Sequence, residues 1–388
     1  MISTIGYGSL EPPLGRRPRN LSTESKVATE NSITFFGASL DALDVPEAVN
    51  IKRAYIEASL SGSPLPSDVR DPYAFFRTLM KDQLKEYGHR YLGRFMIDSW
   101  LTPKPESSDL EMITLESYNH FLRNDGFRIF SELLRDFVKA HVLPSIPGMV
   151  GVDHSLTGGV LMALSDSLGP ENLGVLLFDV HTDAIPLPLR LGLVQYGTET
   201  GQSSAGRITI DESFDPYSAG SFLLYLIDRG LILPKNLVIV GVGDSADSLR
   251  KLTDKRVKEY VRYYDSLSER GVKIIDKNQL QRGGSVAVES VLNQLQCSKL
   301  YVSLDVDVST HCGVFATRFA DVVGTETSLV LEIARTLRKL LSSHRFALTG
   351  LDIMEIDIYK LGAKLKDGIE DQTQTFIQNY TALLCGNG

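Results

Sequence analysis

The run Leu173-Gly174-Val175-Leu176-Leu177 stops abruptly at Phe178-Asp179-Val180-His181-Thr182-Asp183. A short run of branched apolar residues reads as a buried strand, and open α/β sheets place ligands at the carboxyl ends of such strands. Side chains alternate along extended backbone, so the spacing predicts Asp179, His181 and Asp183 on one side and Val180 and Thr182 on the other. Two carboxylates and an imidazole together suit a divalent cation. A hydrogen-bonded polar cluster capping the strand is the other reading these residues allow.

Two further stretches shift the balance. Gly151-Val152-Asp153-His154-Ser155 follows apolar Met149-Val150, and Tyr301-Val302-Ser303-Leu304-Asp305-Val306-Asp307 is another apolar run ending in two carboxylates at period two. Charged groups at the ends of buried strands are costly unless paired or bound to metal. Three such ends in one chain therefore favour the metal reading.

The rest of the chain sets these ends in a repeating frame. Strands are predicted at Ile33–Gly37, Arg94–Asp98, Leu237–Gly241, Val272–Asp276 and Phe346–Ile353, in addition to the three above. Helical spacing marks most of Pro72–Leu143, then Gly158–Ser167, Ser285–Leu295 and Ser328–Leu341, with a charged amphipathic helix between the strands at 237 and 272. Pro144 and Pro147 are expected to break the helix ahead of His154. Ala184–Asp215, with Pro186, Pro188 and several glycines, reads as a long loop walling a pocket, followed by a helix start at Tyr217–Leu224 with serine available for capping. Strands alternating with helices predict a mainly parallel sheet sandwiched by helices, a three-layer α/β/α architecture. Residues 1–32 read as an N-terminal arm, because Glu11–Ser32 is rich in proline, arginine, serine and asparagine. Residues 33–388 read as one domain with a helical insertion at about 72–145. Gly241-Val242-Gly243 is too short for a dinucleotide fingerprint.

Asp-His-Ser, Asp-x-His-x-Asp and Ser-x-Asp-x-Asp, in this order, resemble the signatures of the ureohydrolases, the arginase and agmatinase family. Gly350-Leu351-Asp352-Ile353-Met354-Glu355-Ile356 is similar to the family segment that carries a substrate-binding glutamate. The resemblance runs from about Ile33 to Ile358. It implies two divalent ions per chain, Mn2+ first and Ni2+ as the alternative, held by His154, Asp179, His181, Asp183, Asp305 and Asp307. Asp179 and Asp305 would bridge, His154 and Asp183 would complete one shell, and His181 and Asp307 the other. Two cations flanking a water make hydroxide available near neutral pH. Glu355 would hold a guanidinium, and Asp183 would carry the proton to the leaving amine.

Several positions depart from that pattern. Val152 stands where a second glycine is usual. Ile185 stands where arginases have an asparagine used on the amino-acid end of arginine. The arginase shuttle histidine would align near Ala219, and no histidine occurs between Asp183 and His311, which makes His311 the only obvious replacement. The loop from Val308 to Phe319 differs most, and with the long N-terminal segment it looks like the branch that includes guanidine and metformin hydrolases. The resemblance then implies a small guanidino substrate, agmatine-like or smaller rather than arginine, split into urea and an amine, and a homo-oligomer, trimer or hexamer. Two other classes stand beside it. A non-catalytic scaffold subunit would have a degenerate ligand set, and an acyl-lysine deacetylase of similar layering would use one zinc.

Bulk properties narrow the partners. A net charge of -8 without long basic runs argues against nucleic acid or an anionic membrane surface and favours a cationic small molecule. The three cysteines, Cys297, Cys312 and Cys385, lack metal-finger or redox-pair spacing, which suggests reduced thiols. The first residues lack the pattern of a secretory signal, and no apolar run approaches the roughly 20 residues of a membrane span, so a cytoplasmic enzyme is expected.

Overall fold

The computed structural model describes residues 32–43, 45–63, 69–201, 217–364 and 368–386. Its strands are β1 (Ile33–Ala38), β2 (Arg90–Arg94), β3 (Ile146–Gly151), β4 (Leu173–Phe178), β5 (Leu237–Val242), β6 (Lys273–Asp276), β7 (Lys299–Asp305) and β8 (Ala347–Met354). They form an eight-stranded sheet in the order β2-β1-β3-β8-β7-β4-β5-β6. Every pairing is parallel. All strand carboxyl ends therefore meet at one edge.

Parallel strands are covered on both faces, which is why β1, β4 and β5 are buried along their whole length and read as unbroken apolar runs. Successive residues of one strand feed opposite sides. Phe36, Met149, Leu177 and Ile239 pack with the helices Gly126–Phe137, Thr157–Leu168 and Lys255–Glu269. Their neighbours Phe35, Val150, Leu176 and Val240 pack with Pro72–Glu86, Lys277–Asn293, Thr327–Ser342 and Thr373–Cys385. Two apolar cores separated by the sheet make the three-layer α/β/α arrangement that the alternation predicts.

Local chemistry moves several predicted boundaries. The second strand lies at Arg90–Arg94 rather than Arg94–Asp98, because pairing to β1 runs only to Gly37↔Arg94 and Met96 beyond it is 83% exposed. Pro147 does not break a helix but sits inside β3 opposite Thr34, one residue before the pairing to β8 begins at Gly148. Within Ala184–Asp215, a helix occupies Leu187–Glu199, and residues 202–216 lie outside the described part. The prolines start that helix instead of excluding it, since proline at a first-turn position gives up an amide that has no partner there anyway. The helix after Tyr217 spans Phe222–Asp228, and its N-cap Ser221 makes no capping bond; the Ser221 hydroxyl accepts from the Ser218 amide at 3.2 Å instead.

The helix read as Ser285–Leu295 is the second half of Lys277–Asn293, kinked at Gly284. Of the N-terminal arm only Ser32 is described. All three cysteines are free. Among the described residues no helix is long and apolar enough to cross a membrane.

Candidate metal centre

The four central strands, β3, β8, β7 and β4, are neighbours, and each delivers one piece of the site at its carboxyl end. His154 follows β3, Glu355 follows β8, Asp305 ends β7 with Asp307 in the turn after it, and Asp179, His181 and Asp183 follow β4. The extended geometry expected for 179–183 does not persist, because β4 stops at Phe178. Asp179 Oδ1 accepts the amide of His181 at 2.6 Å, and Asp305 Oδ1 accepts that of Asp307 at 2.8 Å. An aspartate that bonds the backbone two residues on makes a tight turn. The turn, rather than the pleat, brings residues i and i+2 to one side.

The six side chains converge. His154 Nδ1 lies 3.2 Å from Asp179 Oδ2, 3.1 Å from Asp183 Oδ2 and 3.1 Å from Asp305 Oδ2. His181 Nδ1 lies 2.9 Å from Asp307 Oδ2 and 3.6 Å from Asp179 Oδ1. His154, Asp179 and Asp183 form one group able to hold a cation, and Asp179, His181 and Asp307 form another. Asp179 belongs to both. Asp305 reaches the first through His154.

Several polar atoms of the cluster lack partners. His154 Nδ1, Asp179 Oδ2 and Asp307 Oδ2 are buried without a hydrogen-bond partner, although charged neighbours lie close. One ring nitrogen faces three carboxylate oxygens and is aligned with none. Uncompensated buried polar atoms are costly, and a divalent ion in each of the two groups would satisfy them. The residues fit two such ions. Without them, protons substitute: burial would lower the His154 pKa, but Asp179, Asp183 and Asp305 outweigh it and hold it well above the usual imidazole range. For Asp305, burial and then the charges of Asp307 and Asp179 push its carboxyl far up.

The outer nitrogens are also held. Ser303 Oγ lies 2.9 Å from His154 Nε2 and donates to Asp352 at 2.6 Å, while Thr157 and Tyr301 donate to the same carboxylate at 2.6 and 2.5 Å. His181 Nε2 lies 3.2 Å from Asp321 Oδ1. None of these partners was assigned a role from sequence. For Ser303 a signal existed, since it sits two residues before Asp305 and opposite Asp352 across the sheet.

Glu355 is 1% exposed and held in a left-handed conformation, φ 62°. Such backbone is costly for a residue with a side chain and persists only where its surroundings enforce it. Its amide donates to Val152 O at 2.9 Å, and its Oε1 accepts the His154 amide at 3.0 Å. Oε2 is buried with no partner. Burial pushes its pKa well up, opposed chiefly by the Arg318 guanidinium. Arg318, from the divergent loop, also pairs with Asp153 at 2.6 Å and Asp41 at 3.3 Å.

A cavity of about 530 Å³ opens onto this cluster. Asp183, Asp305, Asp307, His181 and Glu355 line it, as do Ile185 and Ala219, the positions where arginases differ. His311 is not among the lining residues. It is exposed, and its Nε2 lies 2.9 Å from Ala320 O.

An all-parallel α/β sandwich with a carboxylate and imidazole cluster at its central strand ends defines a metal-competent α/β protein. The family model for the arginase family matches residues 103–358, most of the chain, and the protein belongs to that family. Structural comparison agrees on the fold. Arginase from Bacillus subtilis matches with TM-score 0.56 at 18% identity, covering 92% of this chain and 99% of that one. Proclavaminate amidino hydrolase from Streptomyces clavuligerus matches with TM-score 0.54 at 16% identity, covering 92% and 91%. A hypothetical agmatinase from Burkholderia thailandensis matches with TM-score 0.52 at 17% identity, covering 92% and 84%. No curated protein sequence matches significantly.

Proposed function

We propose that this arginase-family chain is a binuclear metal-dependent hydrolase that splits a small guanidino or amidino compound, of agmatine size or smaller rather than arginine, into urea or a similar product and an amine. Buried atoms without partners on His154, Asp179 and Asp307, in the two clusters, and on Glu355 carry this reading, and Asp307 and Glu355 line one cavity. The six side chains would hold two divalent ions, which when bound would make ionised water available near neutral pH. Mn2+ suits four carboxylates and two imidazoles, with Ni2+ the alternative.

The chain's own groups do the rest. Glu355 Oε2 pairs with the guanidinium and fixes its carbon, and placement is what a delocalised, weakly electrophilic centre most requires. Asp183 turns Oδ2 to His154 and Oδ1 to Arg190, and it lines the cavity, where its carboxylate can take a proton and pass it to the departing nitrogen. Ile185, fully buried, offers no polar group to the amino-acid end of arginine. His311, on its exposed loop, has no step here.

Urea release by protein reloaded with Mn2+ or Ni2+ tests this across guanidine, metformin, agmatine, guanidinobutyrate and arginine. Turnover of one substrate that disappears in Asp183→Asn and Glu355→Ala is the expected result. Silence with two ions bound per chain would overturn it in favour of a scaffold subunit.

A further inference from the structure

Glu355 sits one residue past β8 in left-handed backbone, so contacts beyond its own strand must hold it at a fixed distance from the ion ligands. Its carbonyl accepts the Arg318 amide at 3.0 Å. Two residues on, the Asp357 amide donates to Ala316 O at 3.0 Å, on the far side of an antiparallel bridge between Thr317 and Ile356. The divergent loop therefore runs as a short ribbon along the turn that carries Glu355. Asp371 fastens the ribbon from behind, its Oδ1 accepting the Phe315 and Ala316 amides at 3.0 and 3.2 Å.

From that ribbon the Arg318 side chain, buried and not among the residues lining the cavity, reaches two other segments. Its Nη1 donates to Asp153 Oδ2 at 2.6 Å, while Asp153 Oδ1 accepts the Ser155 amide at 3.0 Å and caps the short turn His154–Leu156. Its Nη2 lies 3.3 Å from Asp41 Oδ1, and Asp41 Oδ2 lies 3.2 Å from Nζ of buried Lys52. Arg318 and Lys52 match Asp153 and Asp41 charge for charge, which leaves Glu355 Oε2 unpartnered for another cation. A planar guanidinium can hold two carboxylates in fixed directions, as a single ammonium cannot.

We infer that Arg318 is a positioning residue, a buried brace that fixes the Glu355 turn against the His154 turn and so sets where a guanidinium held by Glu355 lies relative to the ion ligands. This rests on the hydrolase reading above and adds to it a residue that touches neither substrate nor ion. The backbone ribbon holds one side of the brace, and the Asp153 and Asp41 ion pairs hold the other.

Arg318→Lys tests this, because it keeps the buried charge but cannot span both acids. In metal-loaded protein with two ions retained per chain, kcat/KM for the guanidino compound that the wild type hydrolyses should fall about a hundredfold, the cost of a misplacement of about 1 Å, with KM up about tenfold. A brace that served only folding would shrink the active fraction, lowering kcat and leaving KM unchanged. Asp41→Asn, which bonds neither Glu355 nor an ion ligand, should raise KM by a smaller factor, and it decides the matter if Arg318→Lys does not fold. A KM unchanged in the variants that fold overturns the inference. Crystal structures of the same variants give a readout without turnover: Glu355 Oε1 should leave the His154 amide, which it accepts at 3.0 Å in the wild type, and that bond kept intact overturns the inference as well. If the wild type hydrolyses none of the compounds, the hydrolase reading fails by itself, and the crystal structures alone decide whether Arg318 holds Glu355 in place.

Discussion

The two halves of the cluster are built from the same residue types in different surroundings. His154 is wholly buried, and its outer nitrogen ends in the closed Ser303–Asp352 network under the sheet edge. His181 has a side chain 12% exposed, and its outer nitrogen meets Asp321, itself 71% exposed on a loop. A hydrogen bond sealed from water keeps its direction, whereas an exposed one competes with solvent. The inner half should therefore be a fixed socket and the outer half the exchangeable one.

Asp179 is common to both halves. Asp179→Asn is expected to cost about a thousandfold or more in urea release and to leave fewer than two ions per chain by elemental analysis. Two ions at full occupancy in that variant would end the shared-ligand picture.

Next come the outer partners. Ser303→Ala should weaken the tighter ion by about 10–100-fold in metal titration, the usual cost of removing a partner that orients a ligating histidine. Asp321→Asn should weaken the other ion by less, about tenfold or under, because water can replace an exposed carboxylate. Equal losses in the two variants would mean that burial does not divide the halves.

Proton competition gives the third test. Without metal, His154 has a raised pKa, as does His181, where the Asp307 charge leads the groups that overcome burial. A raised folded-state pKa contributes stability that is complete below the unfolded value, about 6.5, and is lost as pH rises through the folded value. Metal-free protein should lose thermal stability on going from pH 6 to 8, while the Tm gain from added Mn2+ grows over the same range. A gain independent of pH would show that ions do not displace protons from these imidazoles.

The smallest effect concerns order of release. Graded chelation should remove one ion per chain before the other, and Asp321→Asn should widen the gap between the two steps. A single step for both ions would put the halves on equal terms.

Much of this was legible in the chain. Apolar runs with charged ends give a parallel sheet and the six clustered side chains, because burial on both faces demands the first and the cost of unpaired charge explains the second. Period two alone puts Asp179, His181 and Asp183 on one side, but β4 stops at Phe178, and Asp179 turns the chain by accepting the His181 amide. Proline at the start of Leu187–Glu199 is a loop signal in sequence, yet the same residue opens helices.

The residue types that end the strands, and the family resemblance they carry, are written in the chain itself. Only the tertiary structure decided that β3, β8, β7 and β4 lie side by side, that Ser303 and Asp352 brace one histidine while Asp321 braces the other, and that Arg190 and Arg123 share the cavity with Glu355. The reason is physical: periodicity is local to a strand or helix, whereas strand order and loop placement come from packing between segments far apart in sequence.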